Sequence, residues 1–267
     1  MKKSFQFILA LVLFIPSAFA QADLSGDWTH PAPGEDSMDK GGGPATGDFL
    51  GLPLNENGLY RSEAFTDQWL TIPEHQCTPH PAPYQHWGPG TLTISKEYER
   101  TKRRLVAIHI DGTYGLDRTV WMDGRPHPPA EAMHTFSGFS TGRYEGDMLV
   151  VETSHMKTTW MKRNGTALSD RARMIEYFIR HDNYFTYVEM VDDPVYLSQP
   201  FIRTSEYIEV PRPPLTLGRF GTVGDEPVFY KCFPVEELAN DRYRVPHFLP
   251  GNNHLMEEFS QLNGIPM

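Results

Sequence analysis

The sequence predicts a mainly β protein, an antiparallel β-barrel flanked by long, irregular Pro/Gly-rich N- and C-terminal segments. Three observations predict it. Between residues 91 and 210, short stretches rich in β-branched and aromatic residues follow one another: "TLTISKEYE", "RRLVAIHID", "DRTVWMDG", "FSTGRYEG", "DMLVVETSHMK", "RMIEYFIRHD", "NYFTYVEMVDD" and "FIRTSEYIEV". Many of the breaks between them carry turn residues, as in "DGTYG", "DGR", "EGD" and "HDN". Little helix-period sequence lies between the stretches, so consecutive strands should meander. Seven or eight such strands close into a barrel or fold into a sandwich, because open edges invite pairing with other chains.

Residues 1–20 read as a signal peptide: Lys2 and Lys3, an apolar run over 7–15, and Ala18-Phe19-Ala20 before the cut. The short apolar run and the basic start look bacterial, which places the mature chain in the periplasm or outside the cell. No later stretch is apolar for about 18 residues, so no membrane span is expected after cleavage. Residues 21–90 form an irregular N-terminal segment with one short helix, expected over 58–72. There Leu59, Ala64, Phe65, Trp69 and Leu70 fall near one stripe. The Gly-x-Trp of "GDW" at 26–28 resembles the opening strand of lipocalin-type barrels. Residues 91–210 are the barrel core, and 211–267 are a C-terminal extension packing on it.

Charge narrows the partners. The formal net charge of −10 becomes −12 once Lys2 and Lys3 leave. Nucleic acid is therefore not an expected partner, since phosphates require a basic face. The two cysteines, Cys77 and Cys232, allow one disulfide in an oxidising compartment or two separate buried thiols.

The central segment carries an ordered signature: "WMDGRPHP", "FSGFSTGRYEGDMLVVETSHMK", "RNGTALSD", "IEYFIR" and "DDPVYLSQPF". It resembles a group of poorly characterised secreted bacterial proteins. The resemblance covers about residues 121–201 and implies a lipocalin-like barrel. Tyr144, Tyr177 and Phe201 stand where that pattern has Trp, Arg and Trp. Losing the Arg beside Glu176 removes one local partner for that carboxylate.

Candidate site residues come from side-chain alternation in strands. Leu149, Val151, Thr153 and His155 should share one face, which puts Thr153 and His155 at the barrel mouth. Met174, Glu176, Phe178 and Arg180 should share another. A Glu between Met and Phe is either a buried acid–base carboxylate or half of an internal ion pair. Asp123-Gly124 reads as turn chemistry, while Arg125, just beyond it, suits a carboxylate. His127 is stiffened by Pro126 and Pro128. Trp121, Asp123, Arg125, Thr153 and His134 are candidate ligand contacts; His155, His127 and Glu176 are candidate catalytic residues. Gly138-x-Ser140-x-Gly142 looks like a nucleophile elbow, but strands flank it on both sides, whereas that motif needs a strand-to-helix turn.

Two histidine groups raise the question of a metal: His75, Cys77, His80 and His86 within one loop, and His109, His127, His134 and His155 across several strands. Neither spacing matches a standard module, so metal and cofactor stay open. Two function classes follow. One is a small-molecule binder for an apolar or aromatic ligand in the barrel interior. The other is a lyase, isomerase or hydrolase using His/Glu acid–base chemistry, with or without a metal.

Overall fold

The computed structural model describes residues 21–30, 49, 51–65, 78–86, 92–112, 117–162 and 164–210. The signal segment, His75, both cysteines, Trp69, Leu70 and the C-terminal extension lie outside the described residues.

Nine strands close into a barrel: β1 (Gly26–Thr29), β2 (Leu92–Tyr98), β3 (Leu105–Gly112), β4 (Arg118–Trp121), β5 (Phe139–Glu145), β6 (Met148–Ser154), β9 (Arg173–His181), β10 (Tyr184–Asp192) and β11 (Phe201–Val210). A two-stranded ribbon, β7 (Thr159–Trp160) with β8 (Ala167–Leu168), sits in the connection from β6 to β9. Around the barrel the order is β1-β11-β10-β9-β6-β5-β4-β3-β2. Among the described residues no helix is long and apolar enough to cross a membrane.

Two features depart from the expected meander. The closing strand β1 comes from the segment expected to be irregular. The strand falls on the Gly-x-Trp that resembles a lipocalin opening strand, but its four residues alone carry little strand propensity. They are held because β1 pairs with β2 on one side and β11 on the other. Trp28 secures it: the indole is fully buried, donates from Nε1 to the Leu24 carbonyl at 2.9 Å, and meets Phe185 edge-on at 4.7 Å.

The second departure matters for the site. β4 and β5 run parallel, with Val120 opposite Ser140 and Trp121 opposite Thr141. Parallel neighbours cannot be joined by a tight hairpin and need a crossover of a dozen or more residues. Residues 122–138 are that crossover. "DGRPHPP" therefore does not turn a hairpin; it starts a strap that runs back outside the sheet. Gly124 has φ +79°, which suits the bend where the chain leaves the strand.

The helix is shorter than the apolar stripe suggested: α1 spans Glu56–Glu63. Asn55 caps it, accepting from Gly58 N–H at 2.9 Å while its amide donates to the carbonyls of Val195 and Leu197. Asn55 thus fixes both the start of the helix and its docking on the β10–β11 connection.

Inside, β strands alternate as a half-buried sheet should. Leu149, Val151, Phe178, Phe185, Tyr187 and Tyr207 belong to one continuous core with Trp28 and Ile110. A second cluster of Met156, Met161, Leu168, Met174, Val191 and Leu197 closes one end of the barrel. The strap returns to the sheet at this end through Gly138, whose φ is +66°. A Cβ there would sit 2.6 Å from the Ser154 carbonyl oxygen and 2.9 Å from Met156 Cγ and Thr153 Cγ2. Gly138→Ala should therefore cost about 2–4 kcal/mol, from left-handed strain plus overpacking. Urea unfolding checks it; a midpoint like that of the parent would mean the backbone relaxes freely here.

Candidate functional site

The candidate residues fall into three places rather than one cavity. Glu176 lies inside the barrel. Its carboxylate takes two bonds from Arg118 Nη2, at 2.8 and 2.7 Å, and one from the Tyr187 hydroxyl at 2.9 Å. Arg118 and Glu176 side chains are both fully enclosed. The next inward carboxylate, Glu189, stands directly across the β9–β10 ladder from Glu176. Arg203 Nε holds it at 3.0 Å, and Tyr187 also reaches it at 2.9 Å. Two facing carboxylates would repel; two guanidinium groups neutralise them. His86 packs at a tilt against Tyr187 at 4.5 Å and brings Nε2 to 3.3 Å from Glu176 Oε1, without the alignment of a hydrogen bond. Burial pushes this imidazole down to about 4, against the pull of the Glu176 carboxylate. Burial raises Glu176, but the Arg118 charge and the contacts of His86 and Arg118 outweigh it and hold the carboxyl below its usual range. Of the two readings of Glu176, the internal ion pair is the one observed. Its partner is Arg118, distant in sequence, not an adjacent Arg.

Thr153 also faces inward, continuing the row of Leu149 and Val151. It bonds Ser140 Oγ at 2.8 Å, and both residues are buried. Ser140 thus lies buried within a strand with a hydroxyl, not an imidazole, as its side-chain partner.

The second place is the outer face of the sheet. Asp123 grips Arg125 through Nε at 2.9 Å and Nη2 at 2.5 Å, and the guanidinium lies 3.5 Å above the Trp121 ring. Burial would raise the Asp123 carboxyl, but Arg125 holds it below its usual value. Asp123, Arg125 and Trp121 form a closed stack that sets the exit of the strap from β4. The carboxylate that Arg125 suits, on a ligand or on a neighbour, is here the neighbour Asp123, two residues away.

The third place is the rim of the barrel where β6 ends. Here His155 has φ +58°, a left-handed backbone uncommon outside glycine. Its consequence is geometric. In a continued strand His155 would point with Thr153, opposite Ser154. The left-handed turn brings its imidazole to the Ser154 side, so the expected grouping of His155 with Thr153 does not occur. Ser154 Oγ then lies 2.7 Å from His155 Nδ1 and 2.6 Å from His127 Nδ1.

The proton positions along this chain follow from one carbonyl. His155 Nε2 is 2.9 Å from the Pro129 carbonyl oxygen, which only accepts, so Nε2 carries the hydrogen. In a neutral ring Nδ1 then accepts, and the Ser154 hydroxyl donates to it. Ser154 has no second hydrogen, so His127 donates to Ser154 from Nδ1. His127 Nε2 is left to accept from the Thr141 hydroxyl at 2.9 Å. His127, a candidate catalytic residue on a loop stiffened by prolines, thus clamps the strap against β5 and β6. It also orders the serine.

His134 completes the rim. It lies with its ring 5.0 Å from that of His155 and bonds the Met156 carbonyl through Nδ1 at 2.9 Å. His134, Ser154 and His155 line a cavity of about 500 Å³ together with Asp170, Arg171 and Arg173. Ala130, Ala172 and Pro194 supply its apolar wall. Among the described residues no carboxylate pairs with Arg171 or Arg173, so a locally cationic mouth opens on an acidic protein. Nothing in the sequence pattern distinguished these arginines or Ser154 from ordinary strand and turn residues. The only available signal was the odd position of a His at a strand end before Met156 and Lys157.

The turn beneath the cavity explains two parts of the sequence signature. Asp193 accepts from the Ser169 N–H and hydroxyl, both at 2.7 Å, and from Val195 N–H at 3.0 Å. The Ser-Asp and Asp-Pro motifs therefore tie the β8–β9 and β10–β11 connections together.

Among the described residues no three His, Cys, Asp or Glu side chains converge as metal ligands. His109 pairs with Glu97 at 2.8 Å on the outer face of β3, apart from the rim histidines. His80 packs at a tilt against Tyr84, and His86 likewise against Tyr187. No family model, curated protein or solved structure matched this chain when compared with it.

Proposed function

We propose that the chain is a secreted small-molecule-binding barrel, exported to the periplasm or beyond, whose ligand sits in the rim cavity and carries an anionic group on a small apolar or aromatic body. The observation that carries this reading is the cavity of about 500 Å³ with Arg171 and Arg173 at its wall and, among the described residues, no carboxylate paired with either. Its size suits a small organic molecule. Guanidinium groups favour carboxylate or phosphate through paired hydrogen bonds, and Ala130, Ala172 and Pro194 offer the apolar contact. The barrel interior is less suited to a ligand, because the described strands fill it with Trp28, Phe178, Phe185, Tyr187, Tyr207 and the Arg118–Glu176 pair.

Calorimetric titration of the mature chain with benzoate, succinate and the neutral benzamide tests the reading. Benzoate or succinate should bind, benzamide should not, and the double variant Arg171→Gln/Arg173→Gln should weaken binding about tenfold or more. Equal binding of benzamide, or an unaffected double variant, would move the ligand elsewhere.

A further inference from the structure

We infer that Ser154 is a nucleophile activated by His155, making the rim cavity a site of ester hydrolysis. The inference rests on the ligand site proposed above and names the chemistry done there. Three features of an activated serine coincide. The hydroxyl donates to the imidazole at 2.7 Å, so a base stands ready to take its proton. The other face of that imidazole is held by the Pro129 carbonyl at 2.9 Å, which fixes the tautomer and stabilises the ring once it becomes positive. The acceptor is a neutral carbonyl where the better-known triads place a carboxylate, but it performs the same orienting role. Both Ser154 and His155 open on the cavity. The left-handed backbone at His155 is what puts the two side chains together, and strain of this kind concentrates at functional sites.

The step balances without another reagent than water. Ser154 Oγ attacks the ester carbonyl carbon as its proton passes to His155 Nδ1. The tetrahedral adduct collapses, the carbon–alkoxide bond breaks, and His155 returns the proton to the departing alkoxide, releasing an alcohol. Water then attacks the acylated Ser154 while His155 takes one of its protons. Collapse of the second adduct returns that proton to Oγ and releases the acid. His127 is a positioning residue: its Nδ1–H bond at 2.6 Å holds Oγ in the rotamer that faces His155. The substrate class is a small ester bearing a separate carboxylate, which Arg171 and Arg173 would hold.

The test uses the mature chain with 4-nitrophenyl hydrogen succinate, the neutral 4-nitrophenyl butyrate, and a fluorophosphonate that labels activated serines. Release of nitrophenol from the succinate ester should exceed the buffer rate. Ser154→Ala and His155→Ala should each lose roughly 100-fold or more. Arg173→Gln should raise KM for the succinate ester with little change in kcat, and mass spectrometry should place the label on Ser154. Benzoate binding by Ser154→Ala shows that the variant is folded with its cavity intact. No turnover and no label on a protein that binds benzoate overturns the nucleophile while the binding site stands. Turnover that survives in Ser154→Ala, or a label on another serine, also overturns it. Loss of both turnover and benzoate binding in the parent chain removes both readings.

Discussion

Glu176→Ala is expected to lower the stability of the barrel by about 3–5 kcal/mol, the cost of leaving a buried guanidinium without its counter-charge. Arg118 Nη2 spends both of its contacts on Glu176, and its Nε and Nη1 have no other partner among the described residues. Removing the carboxylate therefore strands a full charge where water does not reach. Glu176→Gln keeps the shape but loses the charge, and should recover only a small part. Replacing both partners together, as Arg118→Met with Glu176→Leu, should cost much less than either single change, because no charge is then buried alone. Urea unfolding of these variants beside the parent measures the effect. A single variant within about 1 kcal/mol of the parent would show that solvent enters the interior and screens Arg118.

The second large effect is a loss of stability with acid. His86 is pushed from 6.5 down to about 4 in the folded chain, so the unfolded chain binds a proton that the folded chain refuses. The contribution is full above pH 6.5 and falls as the pH drops from 6.5 toward about 4. It amounts to about 3 kcal/mol across that window. Glu176 acts with the same sign at lower pH: its carboxyl is held below the usual value, so protonating it further destabilises the fold. Parallel unfolding curves for the parent and His86→Leu between pH 4 and 7 isolate the term. The parent should steepen its decline relative to the variant over this range. Parallel lines would mean that His86 takes up its proton in the folded state without penalty.

Both effects belong to the barrel interior, while ligand binding and the proposed hydrolysis belong to the rim. Ser154 and Thr153 mark the boundary. They are consecutive in β6, yet one faces the cavity and the other the core. A substitution at the rim should therefore alter binding with little change in the interior pair, since the two sites share no hydrogen bond among the described residues.

How far the site was legible in the sequence differs from residue to residue. Alternation placed Met174, Glu176, Phe178 and Arg180 on one face, and the structure buries the first three and leaves Arg180 partly exposed at the strand end, because a two-residue period holds wherever the backbone stays extended. The same rule failed at His155, where the backbone turns left-handed and the alternation stops. Asp123-Gly124 carried a genuine bend signal, but a dipeptide does not say whether the next strand returns antiparallel or crosses over. Arg125 suited a carboxylate on a ligand or on a neighbour; in the structure Asp123 and Trp121, two and four positions back, hold it.

Local pattern alone pointed to a mainly β chain, to a run of strands over 91–210, and to which side chains share a face. These are local properties: β-branched and aromatic composition, a period of two and turn residues act over a few positions. Tertiary contacts set the pairing of β1 with both β2 and β11, the parallel run of β4 and β5, the meeting of Arg118 with Glu176, and the proton chain of Ser154, His127 and His155. Each of these depends on contacts between residues far apart in the chain or on a single left-handed backbone, and neither leaves a period in the sequence from which it could be read.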